Sequence, residues 1–281
     1  MVKIIADSTC DLSKELIERY DVSILPLHIL LGEEEHKDGV DITPEKIYQW
    51  SDANLTTPKT SAVALEDALA VMGPIVENGD EIVAFCISEQ MSTTCNIFRL
   101  AAQELYAESS IDVIDSKSLS TGIGLLVIEA AIMAGEGASK QDIVTSINQM
   151  REDVRASFVV DTLTYLYRGG RCSSVAALAG SVLKLHPKIE VKNGAMEAGK
   201  KYRGKLCRVI LDYVKDMEEE LIHSKKDRVF ITHSGCDPAI VEEVRQYLEE
   251  LGYFKEILIT RAGGVVSSHC GPGTLGVLCL K

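Results

Sequence analysis

Three short segments of the chain place small hydroxyl side chains, and in one case an imidazole, where loops should meet regular structure: Thr60-Ser61, Met91-Ser92-Thr93-Thr94, and Ser267-Ser268-His269-Cys270-Gly271-Pro272-Gly273. None is a catalytic signature by itself. Together they supply hydroxyls, backbone N–H groups and one ring nitrogen, the donor set that holds a carboxylate or phosphate, most readily at a helix N-terminus. Thr60-Ser61 follows Thr56-Thr57-Pro58, which is extended because residues before proline avoid the helical region. A hydroxyl there either caps the helix that begins near Ala64 or, at Ser61, points at a bound anion. Ser92, Thr93 and Thr94 follow a strand and open a helix, and three successive hydroxyls exceed what capping requires. His269 lies in a turn flanked by glycine and proline, where an imidazole is either a satisfied structural group or a partly protonated donor near pH 7.

The basic residues add to this picture. Arg168 and Arg171 flank Gly169-Gly170, and Lys200, Lys201, Arg203, Lys205 and Arg208 cluster further on, in a chain of net charge -13. Either they form a solvated face or they meet phosphate or an acidic partner, with Arg171 and Arg203 best suited to planar recognition. The overall acidity argues against nucleic acid as a partner. The eight cysteines form no C-x-x-C and no zinc spacing, which reads as reduced, mostly buried thiols. There is no G-x-G-x-x-G, Walker A, G-x-S-x-G or H-E-x-x-H, so no evident means of binding ATP or NAD, and no cofactor or metal is expected.

The elements that must position these residues alternate between strand and helix in the first half. Strands are expected over Lys3–Ala6, Val22–Leu31 (bent at Pro26), Glu81–Ser88 and Ile111–Ile114. Helices are expected from Asp11, as cap, to Tyr20; from Thr43-Pro44 to Trp50; and over Leu65–Val76, Thr94–Tyr106 and Leu119–Ala134. Ser139 with Asp142 resembles a capping box. The second half changes character near Arg155. It offers strands at Phe158–Val160, Arg228–His233, Glu256–Thr260 and Leu275–Leu280, and a hairpin at Asn193-Gly194. Its helices are expected over Thr162–Tyr167, Val175–Leu185, Lys205–His223 and from Asp237-Pro238 to Leu251. The expected fold is α/β with two domains, a mostly parallel sheet over 1–155 and a mixed sheet with antiparallel pairs over 156–281. Asp7-Ser8, Ser88 and Asp115-Ser116 then sit beyond strand carboxyl ends, where ligands bind in such sheets. No leader segment and no 18-residue apolar run is visible, so the expected location is the cytoplasm.

The chain resembles the DegV family essentially from end to end. Asp7-Ser8-Thr9-Cys10-Asp11-Leu12 is similar to the family's D-S-T-x-D-L, Thr60-Ser61 to the start of T-S-Q-P, and Met91–Asn96 to L-S-G-T-Y-Q. Thr162 through Arg171 resembles T-L-x-Y-L-x-x-G-G-R, and Ser268 through Gly276 resembles x-H-T-G-P-G-x-L-G. The departures are Ala62-Val63 for Gln-Pro, Thr93 for glycine and Cys95 for tyrosine. The resemblance implies a fatty-acid-binding protein, similar to the lipid subunit of bacterial fatty acid kinase, with a long-chain fatty acid in an apolar tunnel between two domains. It implies that Thr60, Ser61, Ser92, Thr93, Thr94 and His269 surround the carboxylate, and that Arg171 and Arg203 face the phosphate or the partner. A separate ATP-binding kinase subunit would phosphorylate the carboxylate to an acyl phosphate, feeding phospholipid metabolism, with transient contact to a membrane surface.

Two further readings stay open. Ser61 or Ser92 as nucleophile, His269 as base and Asp7 or Asp115 as orienter would make a serine hydrolase or acyltransferase. The basic segment could instead serve a regulatory or scaffolding protein that docks a partner. The apolar helices Leu119–Ala134 and Val175–Leu185 could line a tunnel or be plain core.

Overall fold

A computed structural model describes residues 1–173 and 185–281. The apolar runs of the first half form strands β1 (Val2–Asp7), β2 (Val22–Leu25), β6 (Glu81–Cys86) and β7 (Ile111–Asp115), in the order β2-β1-β6-β7 and parallel throughout. Between them β3 (His28–Leu31), β4 (Glu34–Lys37) and β5 (Lys59–Ser61) make a small antiparallel sheet in the order β4-β3-β5. The expected continuous strand over Val22–Leu31 is therefore two strands in two sheets. Pro26 has no N–H for a ladder, so the first strand ends at Leu25 and the chain re-enters a different sheet at His28.

The second half builds a six-stranded mixed sheet, ordered β10-β9-β8-β13-β11-β12. Its members are β8 (Val154–Val159), β9 (Leu185–Lys192), β10 (Ala195–Arg203), β11 (Arg228–Ser234), β12 (Glu256–Arg261) and β13 (Thr274–Leu280). Only β11 and β12 run parallel; the other neighbours are antiparallel. The Asn193-Gly194 turn joins β9 to β10 with both residues at positive φ, the tight-turn geometry that this dipeptide favours. The expected helix over Val175–Leu185 lies outside the described residues up to Lys184, and Leu185 itself begins β9.

Two helix boundaries differ from expectation for local reasons. Asp11 does not cap the first helix. It adopts a left-handed conformation (φ 50°), and Ser13 caps Lys14–Arg19 by accepting from the Leu16 N–H. The expected helix over Lys205–His223 is two, Leu206–Asp216 and Glu218–Leu221. At the junction the Met217 N–H bonds to the Val214 carbonyl, three residues back, and the tightened turn ends the first helix.

The helix Thr121–Gly135 has almost no polar face, and its residues from Thr121 to Ile128 are all buried. It packs on β1 of the parallel sheet and on β8 and β13 of the mixed sheet, so both sides of the helix meet a sheet. A helix in that position is apolar all round. One core cluster accordingly runs through it from Ile4 and Phe85 to Phe158 and Leu278. No helix among the described residues is long and apolar enough to cross a membrane.

Candidate functional site

A cavity of about 410 Å³ opens where the parallel sheet's carboxyl ends face the second half of the chain. Its walls come from several separate parts of the chain. Thr60, Ser61 and Ala62 lie at the end of the edge strand β5, and Ile87 with Glu89 through Thr93 in the loop after β6. Leu119 precedes the buried helix, Met196 stands on β10, and Val265, Val266, His269 and Cys270 share the helix Gly264–Cys270. Arg171 completes the lining. Polar groups are Thr60, Ser61, Glu89, Gln90, Ser92, Thr93, Arg171 and His269; the remainder, including Leu27, Met91 and Met196, is apolar. Leu119, Val266 and Cys270 also wall a second hole of about 20 Å³, bounded further on by Phe158 and Leu278. The apolar side of the cavity thus points between the two sheets.

Each donor is placed by a local rule. Thr60 and Ser61 pair with Ile29 and His28 in register, which fixes them on an edge strand; Ser61 is exposed and Thr60 half-buried. Ser92 Oγ accepts from the Thr94 N–H at 3.3 Å and meets Thr94 Oγ1 at 3.0 Å. Ser92 therefore holds the start of the helix Thr94–Glu104 and aims that helix N-terminus at the cavity. Thr93 is exposed on the wall, whereas Thr94 is fully buried behind Ser92 and does not line the cavity.

His269 departs from expectation in two respects. It lies in the last turn of the helix Gly264–Cys270, not in the turn that follows. Burial, with the nearby Arg171 guanidinium, pushes its pKa down to about 4, so the imidazole is neutral at pH 7 rather than partly protonated. Nε2 lies 2.9 Å from Thr60 Oγ1, and Nδ1 is buried with no partner among the described residues. An unpaired buried N–H costs more than an unpaired lone pair, so we assign the proton to Nε2. Nε2–H then donates to Thr60 Oγ1, and the Thr60 hydroxyl keeps its own proton for an acceptor in the cavity. Positive charge comes from Arg171, whose Nη1 is anchored on the Gly169 carbonyl at 2.8 Å.

Two glycine-bearing segments interlock to seat the imidazole. A Cβ at Gly169 would stand 2.3 Å from His269 Nδ1, and one at Gly271 would stand 2.5 Å from Tyr165 Cδ2. Gly271 also has φ 75°, a conformation open to glycine at little cost. The helix Thr164–Gly169 and the helix Gly264–Cys270 approach each other at these two points.

Other candidates from the sequence lie elsewhere. Arg203 is exposed on β10 and does not line the cavity. Of the segment Leu119–Ala134 only Leu119 reaches the cavity. Neither Ser61 nor Ser92 is the partner of His269, which bonds Thr60 instead. Asp7 accepts from the Thr9 hydroxyl and from the Thr9 and Ile87 N–H groups, and Asp115 from the Glu89 and Lys117 N–H groups. These atoms do not form a nucleophile–base–acid chain. The Cys270 thiol is pushed up by burial and stays protonated. Among the described residues no cluster of three or more His, Cys, Asp or Glu side chains is placed to hold a metal. Sequence reasoning missed the apolar wall of Leu27, Ile87, Met91, Met196, Val265 and Val266, whose residue types carry no signal separating wall from core.

Comparison with known proteins places this arrangement. A family model described as "Uncharacterised protein, DegV family" matches residues 1–281. A DegV domain-containing protein of Caldanaerobacter subterraneus subsp. tengcongensis is 30% identical, the match covering 98% of this chain and 97% of the relative. A solved structure of a DegV family protein from Thermus thermophilus, described by its fatty acid binding, is 32% identical with a TM-score of 0.89, covering 100% of this chain and 99% of that one. A stearic-acid-binding protein of Eubacterium ventriosum is 30% identical with a TM-score of 0.87, covering 100% of this chain and 98% of that one.

Proposed function

The chain belongs to the DegV family, and from that premise we propose that it binds a long-chain fatty acid in the cavity beneath β5 and the helix Gly264–Cys270. The observation that carries this reading is one cavity that joins a mostly apolar wall, adjoining a small hole bounded by Phe158 and Leu278, to a rim of Thr60, Ser61, Ser92 and a helix N-terminus. The solved fatty-acid-binding structures from Thermus thermophilus and Eubacterium ventriosum support it. In this reading the chain is two domains, 1–155 and 156–281, with the ligand between them.

The energetics divide the work. Each buried methylene contributes about 0.8 kcal/mol, so the tail supplies most of the affinity before ordering costs are subtracted. Hydrogen bonds to the carboxylate contribute roughly 1.5–3 kcal/mol each before desolvation and set the orientation. The Thr60 hydroxyl, directed outward by neutral His269, is the first donor; Ser61, Ser92 and the N–H groups opening Thr94–Glu104 are the others. Arg171 balances the charge.

We further propose that the carboxylate, held at the rim with its tail buried, is presented to a separate ATP-dependent kinase subunit and leaves as an acyl phosphate. Arg171 at the rim would meet the phosphate, and Arg203 on β10 would serve the partner surface. The two steps are tested separately. Native mass spectrometry of purified protein should show a co-purifying fatty acid, and delipidated protein should take up stearic acid. Protein that arrives empty and refuses long-chain acids would defeat the binding reading. In a reconstituted assay with a kinase subunit, Ser61→Ala and Ser92→Ala should lower turnover more than lipid occupancy. Turnover equal to that of the parent would defeat presentation.

A further inference from the structure

Four residues of the cavity wall, Val265, Val266, His269 and Cys270, stand on one helix of seven residues, Gly264–Cys270. That helix has no side-chain cap of its own: Gly263 occupies the capping position. Its first N–H groups are held instead by two carboxylates that arrive from the other end of the chain. The Gly263 N–H donates to Asp11 Oδ1 at 2.7 Å, and the Gly264 N–H donates to Asp38 Oδ1 at 2.6 Å. Both aspartates are buried, at 5% and 3% exposure, and each is oriented through its second oxygen. Ser120 Oγ donates to Asp11 Oδ2 at 2.5 Å, and Ser8 Oγ donates to Asp38 Oδ2 at 2.8 Å. Ser8 Oγ in turn accepts from the N–H of Leu27, a residue of the cavity wall. Small residues suit the place where the carboxylates touch: a Cβ at Gly263 would lie a tight 3.2 Å from oxygens of both aspartates, and one at Gly264 would clash at 2.7 Å from Ile29 Cδ1.

We infer that Asp11 and Asp38 are positioning residues of the head-group site, gripping the N-terminal end of the imidazole-bearing helix so that His269, at its other end, stands within hydrogen-bond distance of Thr60. The inference rests on the fatty-acid reading for its functional meaning, while the grip itself is a property of the fold. A helix this short has little stability of its own, so its placement depends on tertiary anchors. A negatively charged acceptor at a helix N-terminus is a strong one, through both the charge-assisted hydrogen bond and the helix dipole.

The grip also makes the site sensitive to proton binding. Burial raises the Asp11 carboxyl to about 8 and also raises Asp38. The titratable groups facing Asp11 are Asp7, Asp38 and the thiols of Cys10 and Cys270, and burial raises Asp7 to about 6. Both thiols stay protonated at neutral pH, and His269 stays neutral above about 4. The Asp11 carboxyl changes charge near pH 8; its ionisation costs the burial of a charge but makes the hydrogen bond it accepts from Gly263 charge-assisted, which tightens the hold on that helix end.

The test uses the full chain. Amide hydrogen exchange over residues 264–270 should be at least tenfold faster in Asp38→Ala than in the parent, and close to parent in Asp38→Asn, whose amide oxygen still accepts from Gly264. Equal protection in all three would overturn the grip. Binding of the fluorescent C18 probe cis-parinaric acid should weaken about tenfold in Asp38→Ala and recover most of that in Asp38→Asn. In the parent it should tighten from pH 7 to 9, and Asp11→Asn should flatten that slope. A slope unchanged by Asp11→Asn would overturn the role of Asp11. Should Asp38→Ala fail to fold, Ser8→Ala and Ser120→Ala remove only the hydroxyls that orient the carboxylates and should raise exchange over 264–270 by a smaller factor; no change would count against the grip. A parent that refuses the probe defeats the fatty-acid reading alone, since the exchange experiment decides the grip without a ligand.

Discussion

The two walls that meet at the cavity rim are built in opposite ways. On one side Ser61 and Thr93 are exposed and Ser92 is half-buried, carried on an edge strand and on the loop that opens a helix. Ser61 and Thr93 spend little of their hydrogen-bonding capacity on the fold, and Ser92 spends its own only locally, on Thr94. On the other side His269 is clasped from three directions: Thr60 on Nε2, Gly169 against Nδ1, and two aspartates holding the far end of its helix. The first wall has donors to give; the second has position to give. It follows that substitutions on the clasped wall should register mainly as lost stability, and those on the open wall mainly as lost affinity for an anion.

The sharpest way to break that contrast is Gly271→Val. It forces a branched side chain into a left-handed conformation, with its Cβ 2.5 Å from the Tyr165 ring. Backbone strain and overpacking together should cost about 3 kcal/mol, read as a fall in the thermal or denaturant midpoint. A loss under about 1 kcal/mol would show that the clasp is loose.

Next is the pH dependence of stability. His269 is held near 4 in the folded state, below its ordinary value of 6.5. A base depressed on folding contributes stability that is fully present above 6.5 and lost as pH falls through 4. With allowance for the partial exposure of the residue the contribution is roughly 2 kcal/mol. His269→Gln should therefore flatten the stability profile between pH 6.5 and 4 in denaturant titrations; an unchanged slope would contradict the burial argument. Asp7 and Asp11 act with the opposite sign. Both are raised by burial, so the stability they lend is present below about 4 and lost as pH rises through about 6 and about 8.

Thr60→Val sits on the boundary between the walls. It leaves His269 Nε2–H without its acceptor and removes the first ligand donor, so stability should fall by about 1–2 kcal/mol while parinaric acid binding also weakens. Either change without the other would assign Thr60 to one wall only. Ser92→Ala should cost roughly 1 kcal/mol through the lost Thr94 N–H acceptor, with a proportionally larger loss of affinity. Ser61→Ala is the smallest: exposed on an edge strand, it should change stability by less than about 0.5 kcal/mol, and its effect should be visible only in ligand binding.

The alternation of strand and helix was enough to place a parallel sheet first and a mixed sheet second, because hydrophobic period and length are local properties. The Asn193-Gly194 hairpin and the Ser139–Asp142 cap were equally local, and both stand where expected. What escaped was long-range. Gly271-Pro272-Gly273 dominates its neighbourhood in sequence, so Ser267-Ser268-His269 read as part of a turn. Those residues are helical because Asp11 and Asp38, more than 200 positions away, cap the helix at Gly263 and Gly264. The same aspartate was misread as a local cap, since nothing near Asp11 shows that its carboxylate is already engaged elsewhere. The basic cluster misled in another way. Proximity in sequence to a candidate site says little on a strand, and β10 carries Arg203 away from the cavity that Met196, on the same strand, helps to line.

The buried helix Thr121–Gly135 carries a mechanical consequence. Because both sheets rest on it, parting them like a clam would strip water-shy surface from two interfaces at once. A ligand bound as proposed would enter end-on through the rim and leave the spine of the molecule shut.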